Sequence, residues 1–154
     1  MTDTPIILPF GMNDLVEIAA MEKMLFDDPL DVDRLMKKAA RSTIVGWTVR
    51  VPCTSVIIGY LLCDVRYKSI RIVRIAVAPK FRRRGLGSIL MRWLHGLVTM
   101  LWLYVDGFHV PVYAAVDPGR RIARRFLKKH GFSRVRKMKN GKYLYRRIYE
   151  IASI

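Results

Sequence analysis

Apolar positions recur along this chain with two spacings, and the change from one to the other orders it into helices and strands. The clearest stripe lies in the middle, where Leu86, Ile89, Leu90, Trp93, Leu94, Leu97, Val98 and Leu101 follow i, i+3, i+4, i+7 and predict one long helix. Leu15, Ile18, Ala19, Leu25 and Phe26 repeat that spacing near the start, with Glu22 inside the stripe. Asp14 and Glu17 stand where a capping box would open this helix. Phe26-Asp27-Asp28-Pro29-Leu30 breaks it, because a residue before proline avoids the helical region. Asp31 can then cap a second helix running to about Arg41.

Elsewhere the spacing falls to two. Residues 6–8 make a short strand, and 44–51 and 56–66 pair across the turn Pro52-Cys53-Thr54-Ser55. Tyr67-Lys68-Ser69 turns into a further strand, 70–77, where Arg71 and Arg74 stand among apolar residues and imply a slip of the pleat near Val73. Asp106-Gly107 marks a turn, and 108–116 a strand whose Pro111 belongs at an edge, a bulge or a splay. Asp117-Pro118-Gly119 opens the last helix, 120–130, with Ile122, Ala123, Phe126 and Leu127 inward and Gly131 as its stop. A hairpin about Asn140-Gly141 joins 133–139 to 142–149.

Length sets this pattern in a single domain, residues 1–154, and 52% hydrophobic content argues against disorder. The longest uncharged run near the middle, from Trp93 to Val105, is 13 residues. A membrane span needs about 20, so a buried helix and no membrane partner are expected. Cys53 and Cys63 alone suggest no disulfide framework, and the first residues show no signal peptide, so the expected location is cytoplasmic. Net charge is +16 and unevenly placed: residues 1–33 hold eight acidic residues and one base, residues 34–154 four acidic residues and 27 bases. The basic part suits a surface that meets phosphate, RNA or a ribosome; solvated faces are the plainer explanation for most single charges.

The stretch that carries chemistry is Arg82-Arg83-Arg84-Gly85-Leu86-Gly87, between the strand ending Ile75-Ala76-Val77 and the long helix. Glycines let a backbone turn approach a ligand closely, and the unpaired N–H groups of a helix start attract phosphate. Three arginines add to that pull.

Val77-Ala78-Pro79 followed by Arg82-x-x-Gly85-x-Gly87 resembles the acyl-CoA motif of the GNAT superfamily of N-acyltransferases, and the order of elements is similar over nearly the whole chain. Ala123-x-x-Phe126 with Gly131-Phe132 resembles part of the family's second motif, and Asp14-Leu15 through Met21-Glu22 to Phe26 and Pro29 looks like the subgroup that acetylates protein N-termini, ribosomal proteins included. The resemblance implies an α+β (α/β three-layer) fold: a mixed, mostly antiparallel sheet, splayed between strands 4 and 5 and flanked by about four helices. It implies acetyl-CoA as donor, with its pyrophosphate on the N–H groups of Arg82, Arg83, Arg84, Gly85, Leu86, Gly87 and Ser88. Pantetheine would pair with the backbone of Ile75, Ala76 and Val77, between strands splayed after Val77 and before Val112. On the basic face of the last helix Arg124, with Arg125, is the first candidate to meet the 3′-phosphate, although that face could equally track an RNA backbone; the first two helices, with Phe26, Asp27 and Asp28, would take an amine acceptor, a peptide N-terminus or a small molecule. The protein would act as a monomer or homodimer; Trp93 and Trp102 fit core packing or a dimer interface.

Several positions depart from the family pattern. Leu127 stands where a tyrosine often protonates the departing thiolate and Arg120 where asparagine is usual; Ala115 is the closest position to a glutamate of the N-terminal-acetyltransferase subgroup, and Arg71 and Arg74 occupy the strand where other members carry a catalytic glutamate. Asp117 and Tyr143 are the replacement candidates for catalysis, though a turn or cap explains Asp117 and sheet packing explains Tyr143 and Tyr145. His95, His109 and His130 lack metal-ligand spacing, so no metal is expected. A dinucleotide-binding fold fits less well, because Leu90 occupies the third glycine position and the helical period runs on to Leu101. An acetyltransferase fold that binds RNA or ribosome without turning over is the alternative in another class.

Overall fold

In a computed structural model, residues 4–104 and 109–149 are described, and the side chains of residues 102–104 are not. The expected turn at Asp106-Gly107, the start of the following strand at Phe108, and the Trp102 side chain lie outside the described residues.

Strands β1 (Ile6–Pro9), β2 (Ile44–Arg50), β3 (Ile57–Arg66), β4 (Ser69–Val77), β5 (Val110–Val116), β6 (Ser133–Lys137) and β7 (Tyr143–Tyr149) form one sheet in the order β1-β2-β3-β4-β5-β7-β6. The helices are α1 (Leu15–Leu25), α2 (Val32–Ala39), α3 (Leu86–Tyr104) and α4 (Arg121–Lys129). Most pairs are antiparallel; β4 and β5 are parallel, through Ile70–Val112, Arg71–Tyr113 and Ile72–Ala114. That ladder stops at Ile72 and Ala114, so it includes Val112 and does not open before it as the sequence reading had placed the splay. Pro111 sits just outside this ladder, opposite Ile148 of β7, where its missing N–H costs no bond to β4.

The chain divides into two compact units, Met1–Asp64 with Val73–Leu90, and Val65–Ile72 with Met91–Ile154. In the first, Leu15, Ile18, Ala19 and Met21 of α1 and Leu35 of α2 are buried with Ile57, Tyr60 and Leu62 of β3 and Ala76 of β4. Val73 packs against this cluster, and Arg74, the next residue, reaches Glu22 on α1. Two consecutive residues of β4 thus meet the same cluster of helices, as a slip of the pleat near Val73 would arrange. Gly46 of β2 has no alternative: a Cβ there would lie 2.6 Å from the Leu61 carbonyl oxygen and 2.7 Å from Leu62 Cδ2.

The start of α1 is not built as the sequence reading expected. Asp14 accepts from the Gly11 N–H at 2.8 Å, closing a 3-10 turn at Met12–Asp14, and although it is the N-cap residue of α1 its side chain makes no capping bond to that helix. Its other oxygen pairs with Arg50. Glu17 accepts from the Ile57 N–H at 3.1 Å instead of completing a capping box. Both acids face unpaired donors brought from β2 and β3, and local spacing carries no trace of those partners. Asp31 does cap α2, accepting from Arg34 N–H at 2.8 Å.

In the second unit Leu94 and Val98 of α3, Val112 and Ala114 of β5, Leu127, Phe132, Tyr145 and Tyr149 are buried. Two expected core residues are not: Trp93 is 44% exposed and Ile122 72% exposed. Trp93 lies at the margin of the α3 stripe, and α4 is short enough that one row, ending at Leu127, covers its contact. Gly131, with φ of 84°, ends α4 in the left-handed region.

Candidate functional site

β4 ends at Val77, and Ala78 N–H donates to Ile58 O at 2.8 Å, tying the strand end to β3. A 3-10 turn over Pro79–Phe81 follows, and then the chain rises into α3 through Arg83 (φ 63°) and Gly85 (φ 78°), both left-handed. An arginine in that region is strained, a condition usually retained at ligand sites. The first helical bond of α3 runs from Ile89 N–H to Gly85 O. Arg82 and Arg83 form a turn that ends on Arg84, and among the described residues the N–H groups of Gly85, Leu86 and Gly87 meet no acceptor. Consecutive free donors at a helix start can hold an anion. A Cβ on Gly85 would have nothing within 4 Å, so the space above it is open.

The three arginines are not alike. Arg82 turns back, its Nε donating to Val77 O at 3.0 Å, and its N–H reaches Pro79 O. It therefore closes the loop, and the Val77 carbonyl that the resemblance offers to pantetheine already has one donor. Arg84 lies over the Phe81 ring at 5.3 Å. All three are exposed.

The same unit holds a group that sequence reasoning saw only in outline. Glu22 is fully buried, and Arg74 Nε donates to its Oε1 at 3.0 Å. Its Oε2 is buried with no hydrogen-bond partner of normal geometry. Burial pushes the Glu22 carboxyl above its ordinary pKa of 4.5, and Arg74, then Tyr60 and the Leu30 backbone, oppose that rise. Arg74 also donates from Nη2 to the Asp28 carbonyl at 2.6 Å and covers the Phe26 ring at 4.3 Å. One guanidinium thus fixes the segment between α1 and α2 to a buried carboxylate. Its sequence signal was an arginine in an apolar strand and a glutamate in an apolar stripe. Of the two aspartates in that segment, Asp28 pairs with Arg34 at 3.2 Å, while Asp27 is exposed and has no ion pair among the described residues.

The remaining candidates belong to the second unit. Arg124 lies 5.7 Å from the half-buried Tyr143 ring, and Arg134 lies 4.5 Å from the same ring. Arg121, Arg124, Arg125 and Lys128 line a surface cavity of about 300 Å³. Asp117 is exposed in the turn before α4; its carbonyl accepts from Arg120 N–H, and Arg120, not Asp117, is the N-cap. Tyr145 is buried as sheet packing. Asp117 makes no side-chain contact with Tyr143 or Arg124 among the described residues. Cys63 is buried, which pushes its thiol up to about 12, and Cys53 is exposed in the turn between β2 and β3.

With this geometry in view, comparison with known proteins is decisive at one level. The chain belongs to the acetyltransferase (GNAT) family, whose model matches residues 13–132. Among solved structures it is similar to the ribosomal-protein-S18-alanine N-acetyltransferase from Escherichia coli, with TM-score 0.76 and 16% identity over 97% of each chain. It is similar to Arabidopsis thaliana NAA60 in complex with acetyl-CoA, with TM-score 0.76 and 18% identity over 94% of this chain and 98% of that one. Ard1 from Thermoplasma volcanium gives TM-score 0.76 and 19% identity over 96% and 99%. No curated protein matches the chain. Among the described residues, no helix is long and apolar enough to cross a membrane.

Proposed function

We propose that residues 1–154 form one acetyl-CoA-dependent N-acetyltransferase domain that acts in the reducing cytoplasm. It would acetylate a neutral amine, a peptide N-terminus or a small molecule, by direct transfer in a ternary complex. The observation that supports this most is the row of free N–H groups from Gly85 to Gly87 at the start of α3, which fits a pyrophosphate. Acetyl-CoA would supply an acetyl thioester there. The backbone from Arg83 to Ser88 would hold its diphosphate, the end of β4 from Ile75 to Val77 its pantetheine, and Arg124 its 3′-phosphate.

The chain's own side chains explain the choice of acceptor. By the family resemblance, Ala115 is the closest position to one catalytic glutamate and Arg71 and Arg74 lie on the strand that carries the other, and Arg74 is committed to Glu22. An acceptor must then arrive neutral. At pH 7 about one α-amine in ten is neutral, against about one lysine in a few thousand. Asp27, exposed beside Phe26, can draw a cationic peptide toward the site. Tyr143 and Asp117 remain the proposed proton donors and acceptors. The buried, high-pKa Cys63 and the remote Cys53 are poorly suited to carry an acyl group, which supports direct transfer.

Calorimetric titration of acetyl-CoA into the wild type and Gly85→Glu tests the cradle. Saturable binding by the wild type, lost in the folded variant, is expected, followed by CoA release that depends on a free peptide N-terminus. No binding by the folded wild type, or release driven better by internal lysines than by α-amines, would overturn the reading.

A further inference from the structure

Thirteen Lys and Arg residues and no Asp or Glu lie between Arg120 and Tyr149. One bound CoA presents too few phosphates to use them. Their arrangement is continuous within the second unit. α4 presents Arg121, Arg124, Arg125 and Lys128 on one face, around the cavity of about 300 Å³. Arg124 Nε is buried there without a hydrogen-bond partner. The Tyr143 ring links this face to β6, because Arg124 and Arg134 both lie over it. β6 is the last strand of the sheet, and all five of its residues are exposed. A bulge between Arg134 and Arg136 sets Arg134 opposite Tyr145 and Arg136 opposite Leu144. Lys137 pairs with Tyr143 and so shares the Arg134 face. Arg121, Arg124, Arg125, Lys128, Arg134 and Lys137 have no carboxylate partner among the described residues.

We infer that this face of α4 and β6 binds the phosphodiester backbone of a double-stranded nucleic acid, independently of sequence. Clustered cations without carboxylates gain affinity by releasing the counterions condensed on a duplex. The exposed large apolar residues of the stretch are Ile122, Val135 and Ile148, none of them aromatic, and Tyr143 is covered by two guanidinium groups. Bases splayed from a single strand would find no stacking platform, so backbone contact with a duplex is the mode that fits. The inference does not depend on acetyl transfer.

Fluorescence anisotropy with labelled RNA and DNA duplexes of about 20 base pairs tests it across a salt series. If six cations engage phosphates, affinity falls about a thousandfold between about 50 and 200 mM salt. Arg121→Ala/Arg125→Ala/Lys128→Ala should reduce the slope of log affinity against log salt by about three. RNA and DNA duplexes should bind alike. Absence of duplex binding at low salt, an unchanged slope in the triple variant, preference for a single strand, or stronger capture by anionic vesicles would each overturn the inference.

Discussion

Replacing Arg74 with alanine removes the counter-charge of a carboxylate that has no exposure at all. Two routes give the size of the effect. Breaking a buried pair by deleting one partner costs about 3–5 kcal/mol, because the other charge stays behind. The carboxyl can escape by taking up a proton; from its ordinary pKa of 4.5 that costs about 3 kcal/mol at pH 7, at about 1.4 kcal/mol per pH unit. Protonation therefore caps the loss near the lower end of the first range. The pH dependence has a fixed sign. Glu22 is shifted upward in the folded state, so its contribution to stability is fully present below the unfolded pKa and is lost as pH rises through the folded one. Without Arg74 the folded value rises further, the pH window widens, and the deficit of the variant shrinks as pH falls toward 4.5. The segment between the first two helices also loses its 2.6 Å bond at Asp28 and its cover over Phe26. Acceptor KM should then rise while acetyl-CoA affinity holds. Urea unfolding at about pH 5 and about pH 7, with Arg74→Ala, Glu22→Gln and the double variant, reads all of this. A loss below about 1 kcal/mol that is the same at both pH values, or strict additivity of the two substitutions, would refute the reasoning.

Two further substitutions or probes follow from the packing. Gly46→Ala drives a Cβ to 2.6 Å from the Leu61 carbonyl, a backbone atom that cannot rotate away, so a loss of about 2–3 kcal/mol in thermal unfolding is expected. A melting temperature equal to the wild type would show that β2 can shift to accommodate it. In the native protein a thiol-reactive disulfide reagent should titrate Cys53 alone, since burial holds Cys63 at about 12; both should react after denaturation. Equal reactivity of the two thiols in native buffer would contradict the burial of β3.

The sequence by itself determined the features whose causes are local. Helix periodicity located α1, α3 and α4 to within a few residues, and Gly131 and Asn140-Gly141 punctuated the chain where φ had to be positive or a hairpin had to close. Arg82-x-x-Gly85-x-Gly87 located the glycine turn that feeds the start of α3, because such a turn is a backbone property that nearby residues define. Other features were decided only in three dimensions. Asp14 and Glu17 have capping spacing, yet Arg50 and Ile57 N–H, brought from strands far along the chain, claimed them. Arg82, read as a phosphate ligand, turned back to Val77 O, and Trp93 and Ile122 were left outside cores that helical spacing alone would have filled with them. The role of Arg74 is the fullest case. Nothing within a few residues of it shows that a carboxylate 52 positions away will be buried 3.0 Å from its guanidinium. Spacing along a chain encodes which face a residue presents, whereas the partner that meets that face is set by how distant elements pack, and the charge balance of this site resides in those pairings.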